Sequence, residues 1–390
     1  MTDRILINAV SSKTGGGLTD LTGTLPRLRT VLAEQGLAVE IAVVDQGWQA
    51  LQDCRYPMSD VFRVRAQTPA RRALWELVGL PQRVRQRRYR VVFHFSNFII
   101  RPLPVPQLTV FRTRSYFSAL PSNKFGYRAV RQRLACHYTR RTLLHGDTVF
   151  CISETQQQAI ISALGDIGRR TEICHLGFSQ PILSGHRSRQ QLWADLPPSL
   201  TERFSVPAAD RPILLNIAHY YPHKNLLTLL DAVERLAGRW PTLLLILTAG
   251  IMDDRHRPEY RLARSLTERG ILCDLGPVPQ TVTGTLYGLA DLFVFPSALE
   301  SFAHPLLEAS AAGVPVIASD TPIHREICAD SVLYHPLYDA AALAEMIDRV
   351  LHHECLTDGL ITKARMNCRR FNWNQHAERL GQAITRLAYN

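Results

Sequence analysis

The sequence predicts an α/β protein with two parallel-sheet domains, and three observations carry that reading. Short apolar runs alternate with helical stretches twice over, once from RILINAV (4–10) and again from PILLNIAHYYPHKN (212–225). The stretch from LFVFP (292–296) through PLLEASAAG to PVIAS (315–319) reads as strand, loop, helix, glycine turn, strand. That is one unit of a parallel sheet. Residues 179–210 interrupt the alternation with Pro, Ser and charged residues around QQLWADLPPSL, as a linker with an insertion would. The expected organisation is therefore a first domain over 1–178, this linker over 179–210, a second domain over 211–370 and a last helix over 371–390.

At 390 residues with 46% hydrophobic content the chain is long enough to bury two cores. Eight cysteines are scattered without a C-x-x-C, and no His cluster has metal-ligand spacing. That pattern fits reduced cysteines in a cytosolic protein and no metal site. MTDRILINAV starts directly on a strand-like run, so no signal peptide is expected. No apolar run approaches the length of a membrane span, and TLLLILTAG (242–250) reads as a buried strand.

The net charge of +11 is unevenly placed. Between Arg55 and Arg141 stand eighteen Arg and Lys124 against Asp60 and Glu76, a balance of +17, which leaves −6 for the rest. So one-sided a balance implies an anionic partner for the first half: a phosphorylated acceptor, an anionic membrane surface or nucleic acid. Within it, a helix over 69–79 would place Leu74, Trp75 and Val78 near one side with Arg71 and Arg72 beside them, and Pro81 limits its length. Two readings stand: an interfacial helix on a membrane, or a core-packing helix with a basic outer face.

The chemistry gathers around PSALESFAHPLLEASAAGVPVIASD (296–320). Glu300 falls in the loop and Glu308 in the helix, with Pro305 suited to the first helical turn, where no backbone donor is lost. Two carboxylates would thus flank a helix N-terminus whose free N–H groups favour an anion. Hydroxyl acceptors beside a phosphate cradle suit a sugar nucleotide. Taken alone, Glu300 is a cap and Glu308 an ordinary helical acid. The whole string E-S-F-A-H-P-L-L-E-A resembles the donor motif of the retaining glycosyltransferases of family 4, GT-B enzymes that usually read E-G-F-G-L-P-L-L-E-A. Glu300, Phe302, Pro305, Glu308, Ala309, Gly313 and Pro315 keep the pattern, whereas Ser301, Ala303 and His304 depart from it.

The resemblance is close over 211–336 and looser before it. It implies two Rossmann-like domains facing each other over a cleft, with the last helix returning to the first domain. It places Glu300 on the donor-sugar hydroxyls, Glu308 on the ribose and backbone N–H groups near Ser301–Ala303 on the diphosphate. After the strand at 212–217 comes AHYYPHKN, which keeps the Lys224–Asn225 pair but has Ala218–His219 where the family has Gly–Arg. Lys224, with His219 as a weaker substitute, would clamp the phosphates. Gly250 matches the strand end that approaches the nucleotide, and Val278 the residue on the base. Gly15, Gly16 and Gly17 follow the first strand, either as a ligand-approaching turn or a plain one. Their spacing is neither a P-loop nor a full dinucleotide fingerprint. For the family's first-domain histidine the nearest candidate is His94, with Arg112 and Arg114 after the later strand. A histidine beside an apolar strand is also commonly structural.

The expected activity is retaining transfer of a mannose- or glucose-type hexose from a GDP- or UDP-sugar to a hydroxyl of a glycan or glycolipid, in cell-surface polysaccharide or lipopolysaccharide synthesis. No cofactor and no metal are expected, since the D-x-D of the metal-dependent fold is absent and Asp253–Asp254 reads as a loop. The expected place is the cytoplasm, with peripheral contact to the inner leaflet through the Arg-rich domain. The rivals are a soluble GT-B enzyme making a disaccharide, a sugar-nucleotide epimerase, and a basic nucleic-acid-binding protein. The last is disfavoured because no reading module accompanies the Arg residues.

Overall fold

A computed structural model describes residues 3–13, 16–95, 98–112, 127–179, 188–204, 211–353 and 355–390. Gly15 and Arg114 lie outside the described residues, as does part of the 179–210 stretch. The chain forms two compact units, Met1–Phe178 with Phe371–Asn390, and Ser179–Arg370.

The first unit holds seven strands: β1 Asp3–Asn8, β2 Leu37–Val43, β3 Val61–Arg63, β4 Val91–His94, β5 Gln107–Phe111, β6 Thr148–Cys151 and β7 Thr171–Ile173. They lie in the order β3-β2-β1-β4-β5-β6-β7, and every pairing is parallel. Parallel strands need crossovers, and helices on both faces bury them twice over, so their sequences are nearly unbroken apolar runs. Ile5, Leu6, Ile7, Val92 and Phe93 are accordingly buried. The final helix, Trp373–Tyr389, packs along the first one, Gly16–Glu34. The approach is too close for side chains: a Cβ on Gly23 would lie 2.3 Å from the Trp373 ring, and one on Gly381 would lie 2.4 Å from Val31.

The second unit holds β8 Ile213–Asn216, β9 Leu244–Leu247, β10 Leu272–Asp274, β11 Leu292–Phe295, β12 Val316–Ser319 and β13 Leu333–His335. Their order is β10-β9-β8-β11-β12-β13, again all parallel. Leu214, Leu245, Val294 and Ile317 form its centre with Leu229 and Val233 from the helix Leu226–Leu236. These two parallel α/β units give the chain its fold class.

One element differs from the sequence expectation. The helix that starts at Pro69 does not stop at Pro81. It runs Pro69–Leu74, widens into a π-turn over Trp75–Gly79 and continues as Leu80–Arg87. Proline lacks the N–H that an α-helix interior would use, and a π-turn immediately before it accommodates the shifted bonding register. Trp75 turns inward: its indole N–H donates to Asn8 Oδ1 at 3.0 Å, and its ring meets Phe62 edge-on. Leu74, Leu77 and Val78 remain exposed at 63%, 43% and 55%.

Candidate functional site

In a sheet of this order, the first strand and its neighbour on the other side send their crossovers to opposite faces. The crevice at their carboxyl ends is where open α/β sheets bind ligands. In the second unit those strands are β8 and β11. Asn216, the last residue of β8, donates from Nδ2 to the Val294 carbonyl at 2.8 Å and ties the two strands together.

The loops that leave them are tied as well. Beyond β8, the short turn Pro222–Lys224 ends at Asn225, whose φ of 54° is left-handed. Its Nδ2 donates to the Pro296 carbonyl at 3.1 Å, and Thr228 donates to its Oδ1 at 2.9 Å. An asparagine serves here because it tolerates the left-handed region and caps locally. The His223 carbonyl accepts from the Ala298 N–H at 2.8 Å and from Ser297 Oγ at 3.2 Å. Through these bonds Lys224 Nζ stands 2.6 Å from Glu300 Oε1, with 14% and 13% of the two side chains exposed. Burial pushes the Glu300 carboxyl up, but the Lys224 ammonium and the hydrogen bonds from Lys224 and Ser297 outweigh it and hold it below the usual range. A fixed, ionised carboxylate beside a fixed ammonium results.

The helix that follows β11 spans His304–Ala312, with Pro305 in its first turn. Its N-cap Ala303 has φ 62° and ψ 53°, a conformation that glycine adopts without strain. Phe302 is buried. Glu308 is the fifth residue of the helix and buried; Tyr287 Oη donates to its Oε2 at 3.0 Å. Burial raises its carboxyl, partly offset by that hydrogen bond. The two glutamates therefore differ: one is charge-paired, the other held by a neutral phenol in an apolar setting.

Gly250 lies three residues beyond β9 with φ +69°, and a Cβ there would lie 2.4 Å from an Asp253 carboxylate oxygen. Its N–H donates to Asp274 at 2.9 Å, and Met252 and Gly276 donate to the same carboxylate at 3.3 and 3.2 Å. Val278 is half-buried in the loop after β10. His219 is exposed in the loop after β8 and has no hydrogen-bond partner among the described residues.

The remaining candidates belong to the first unit. Gly16 and Gly17 open the helix that follows β1. His94 ends β4 beside Asn8 of β1 and is buried. Its Nε2 lies 3.0 Å from Gln107 Oε1, and burial lowers its pKa to about 4, so the ring is neutral. Arg112 pairs with the buried Asp20 and lies 3.5 Å over the Phe95 ring. Burial pushes the Asp20 carboxyl up to about 6 against the pull of that guanidinium.

His324 was not among the sequence candidates. It enters from β12, third in the helix Pro322–Cys328, and is fully buried. Nδ1–H donates to the Ser319 carbonyl at 2.8 Å, which leaves the lone pair on Nε2, buried without a partner. Its ionisation is coupled to Glu300 and Lys224, and burial keeps it neutral. The available signal was SDTPIH at the end of the strand beside β11, where a helix start faces the same crevice.

Residues 200–369 match the family described as glycosyl transferases group 1. Over 190 residues the chain is 30% identical to the phosphatidyl-myo-inositol mannosyltransferase of Mycobacterium tuberculosis, covering 47% of this chain and 49% of that protein. Over 159 residues it is 28% identical to the O-antigen chain mannosyltransferase B of Escherichia coli, covering 41% and 42%. The chain thus spans about half the length of the curated relatives it matches, or less. HepE of Anabaena, solved in complex with UDP and glucose, matches with a TM-score of 0.69 at 19% identity, over 98% of this chain and 100% of that one. Among the described residues no group of side chains is arranged to hold a metal ion, and no helix is long and apolar enough to cross a membrane. The fold is GT-B, and residues 200–369 are similar to the group 1 glycosyltransferases.

Proposed function

We propose that the chain transfers a mannose- or glucose-type hexose, with retention, from a GDP- or UDP-sugar to a hydroxyl of a glycan or glycolipid acceptor in cell-surface polysaccharide or lipopolysaccharide synthesis. The observation that carries this is the Lys224–Glu300 pair, held at the switch point of the second unit beside a helix N-terminus. In this reading the Lys224 ammonium and the N–H groups at Ser301–Ala303 stabilise charge as it develops on the leaving diphosphate. His219 adds a donor from the loop after β8. Glu300 orients donor-sugar hydroxyls, and Glu308 takes the ribose. Gly250 and Val278 line the nucleotide side. The bond from the anomeric carbon to the phosphate oxygen breaks, the bond to the acceptor oxygen forms, and a donor phosphate oxygen takes the acceptor proton. Calorimetry with UDP-, GDP- and dTDP-sugars tests this. One nucleotide should bind selectively, and Lys224→Ala and Glu308→Ala should both abolish that binding. If no nucleotide binds, the donor reading is wrong.

A peripheral contact with the inner leaflet is favoured by a separate observation, the exposed Leu74, Leu77 and Val78 beside Arg71. Apolar anchors flanked by guanidinium groups suit an anionic interface. Phosphatidylglycerol vesicles should sediment the wild-type chain and not the Leu74→Asp/Val78→Asp variant, and phosphatidylcholine vesicles should sediment neither. Equal sedimentation of both proteins on phosphatidylglycerol would remove this contact.

A further inference from the structure

The first unit carries a second cavity-forming edge that the donor reading does not use. At the carboxyl ends of β2 and β3, Asp45, Arg63, Val64, Arg65, Gln67 and Arg71 line a cavity of about 560 Å³. Three guanidinium groups face one carboxylate there. Arg63 reaches Asp45 only at 4.0 Å and lies over the Trp48 ring. Arg65 and Arg71 have no acidic partner among the described residues. Exposed arginines are commonly solvated surface, but this segment is fixed. Lys13 Nζ donates to the Ala66 and Gln67 carbonyls at 3.0 and 2.7 Å, pinning the loop after β3 to the loop after β1.

Gln67 supplies the second observation. Its Nε2 donates to Asp45 Oδ2 at 2.8 Å, which fixes the amide orientation, and its Oε1 is then buried with no hydrogen-bond partner. A buried acceptor without a donor is a cost that a bound hydroxyl would remove. Planar guanidinium groups match phosphate oxygens, and the acceptor amide matches a hydroxyl on the same molecule.

We propose that this cavity binds the phosphate of a hydroxylated phosphate ester, as the anchoring subsite for a phosphorylated acceptor. Its role as an acceptor subsite rests on the glycosyltransferase reading; the binding itself does not. The probes are glucose 6-phosphate, inorganic phosphate and glucose, titrated calorimetrically. Glucose 6-phosphate should bind more tightly than either of the others. Arg63→Ala/Arg65→Ala should weaken it about tenfold or more, as expected for loss of charge-assisted phosphate contacts. Arg63→Lys/Arg65→Lys should restore part of the affinity. Gln67→Leu should narrow the advantage of the ester over inorganic phosphate. Lys224→Ala and Leu74→Asp/Val78→Asp should leave the ester affinity unchanged.

Phosphatidylglycerol vesicles separate the two sources of such a phosphate. A headgroup ligand predicts that Arg63→Ala/Arg65→Ala also loses vesicle binding, and a soluble ester predicts that it keeps it. Both outcomes support the cavity when glucose 6-phosphate binding is lost. Unchanged ester affinity in Arg63→Ala/Arg65→Ala, or loss in Lys224→Ala alone, overturns the proposal. Nucleotide-sugar binding measured on the same variants keeps the two readings apart. Ester binding at Arg63 and Arg65 in a chain that binds no nucleotide sugar would sink the donor reading and leave the subsite standing.

Discussion

The two units share one strand order, third-second-first-fourth-fifth-sixth, with β7 added in the first. They equip their switch points differently. At β8 and β11 the second unit holds an ammonium and a carboxylate, largely buried and 2.6 Å apart. At β1 and β4 the first unit holds Asn8 and a neutral His94; its buried ion pair, Arg112–Asp20, joins the residue after β5 to the first helix, and Arg63, Arg65 and Arg71 line the outer edge. Topology therefore fixes where a crevice lies, not what chemistry it holds. Charge kept away from water is suited to acting on a donor, and charge kept in water is suited to capturing an anion from solution or a surface.

The strongest test of that contrast is to remove one half of the buried pair. Lys224→Ala should cost about 3–5 kcal/mol, because a lone buried carboxylate is left behind. Lys224→Met/Glu300→Gln should recover most of the stability and none of the nucleotide binding. Urea unfolding with hydrogen exchange at β8 and β11 reads the first, calorimetry the second. A Lys224→Ala chain as stable as wild type would mean that the pair is solvated and the contrast empty.

The next effect is pH-dependent and belongs to the first unit. His94 has its pKa lowered to about 4, so its contribution is present above the unfolded value of about 6.5 and is lost as pH falls between the two. The loss amounts to about 3 kcal/mol for a shift of this size. His94→Gln should flatten that part of the stability profile, while Glu300 acts in a lower range. Its depressed carboxyl contributes above the ordinary carboxylate value, and that contribution disappears only as pH falls through the lower folded one. Identical acid profiles for His94→Gln and wild type would show that folding does not depress the ring's pKa.

Gly250→Ala should cost about 2 kcal/mol, from a left-handed backbone and a Cβ driven against Asp253. It should also weaken nucleotide-sugar binding, which a purely structural glycine would not do. The smallest change is a gain. Ala303→Gly should stabilise the second unit by about 1 kcal/mol, relieving the left-handed N-cap at the helix entrance. No gain in thermal midpoint would show that the alanine is not strained there.

Much of this was legible in the sequence where a local pattern fixes a local outcome. Apolar runs between glycine and proline punctuation gave the strands of both sheets, and Pro305 set its helix start. Lys224 and Glu300 were legible as members of a motif, but their contact was not, because it depends on bonds between loops 70 or more residues apart, such as Asn225 to Pro296. Pro81 misled because the π-turn that absorbs it has no sequence signature of its own. Trp75 stayed open between an interfacial and a core-packing reading, because the spacing gives its side of the helix, while the hydrogen bond to Asn8 decides which side faces inward. His324 and Asp20 were missed because each stands in a mixed polar and apolar stretch, and only the fold reveals that its side chain is buried. Arg112 carried a possible acceptor role on sequence grounds, and only the fold reveals its partner.

The close seat of the last helix has a bearing on biosynthesis. Trp373 fills the space left by Gly23 and Gly177, and His376 Nδ1 lies 3.2 Å from Cys174 Sγ, so residues 371–390 complete a unit begun by residue 3. A ribosome making this chain must finish the entire intervening unit before the first one can close. Until then the groove along Gly16–Glu34 stays open as exposed apolar surface, and a nascent chain stalled anywhere before Trp373 is a client for chaperones rather than half an enzyme.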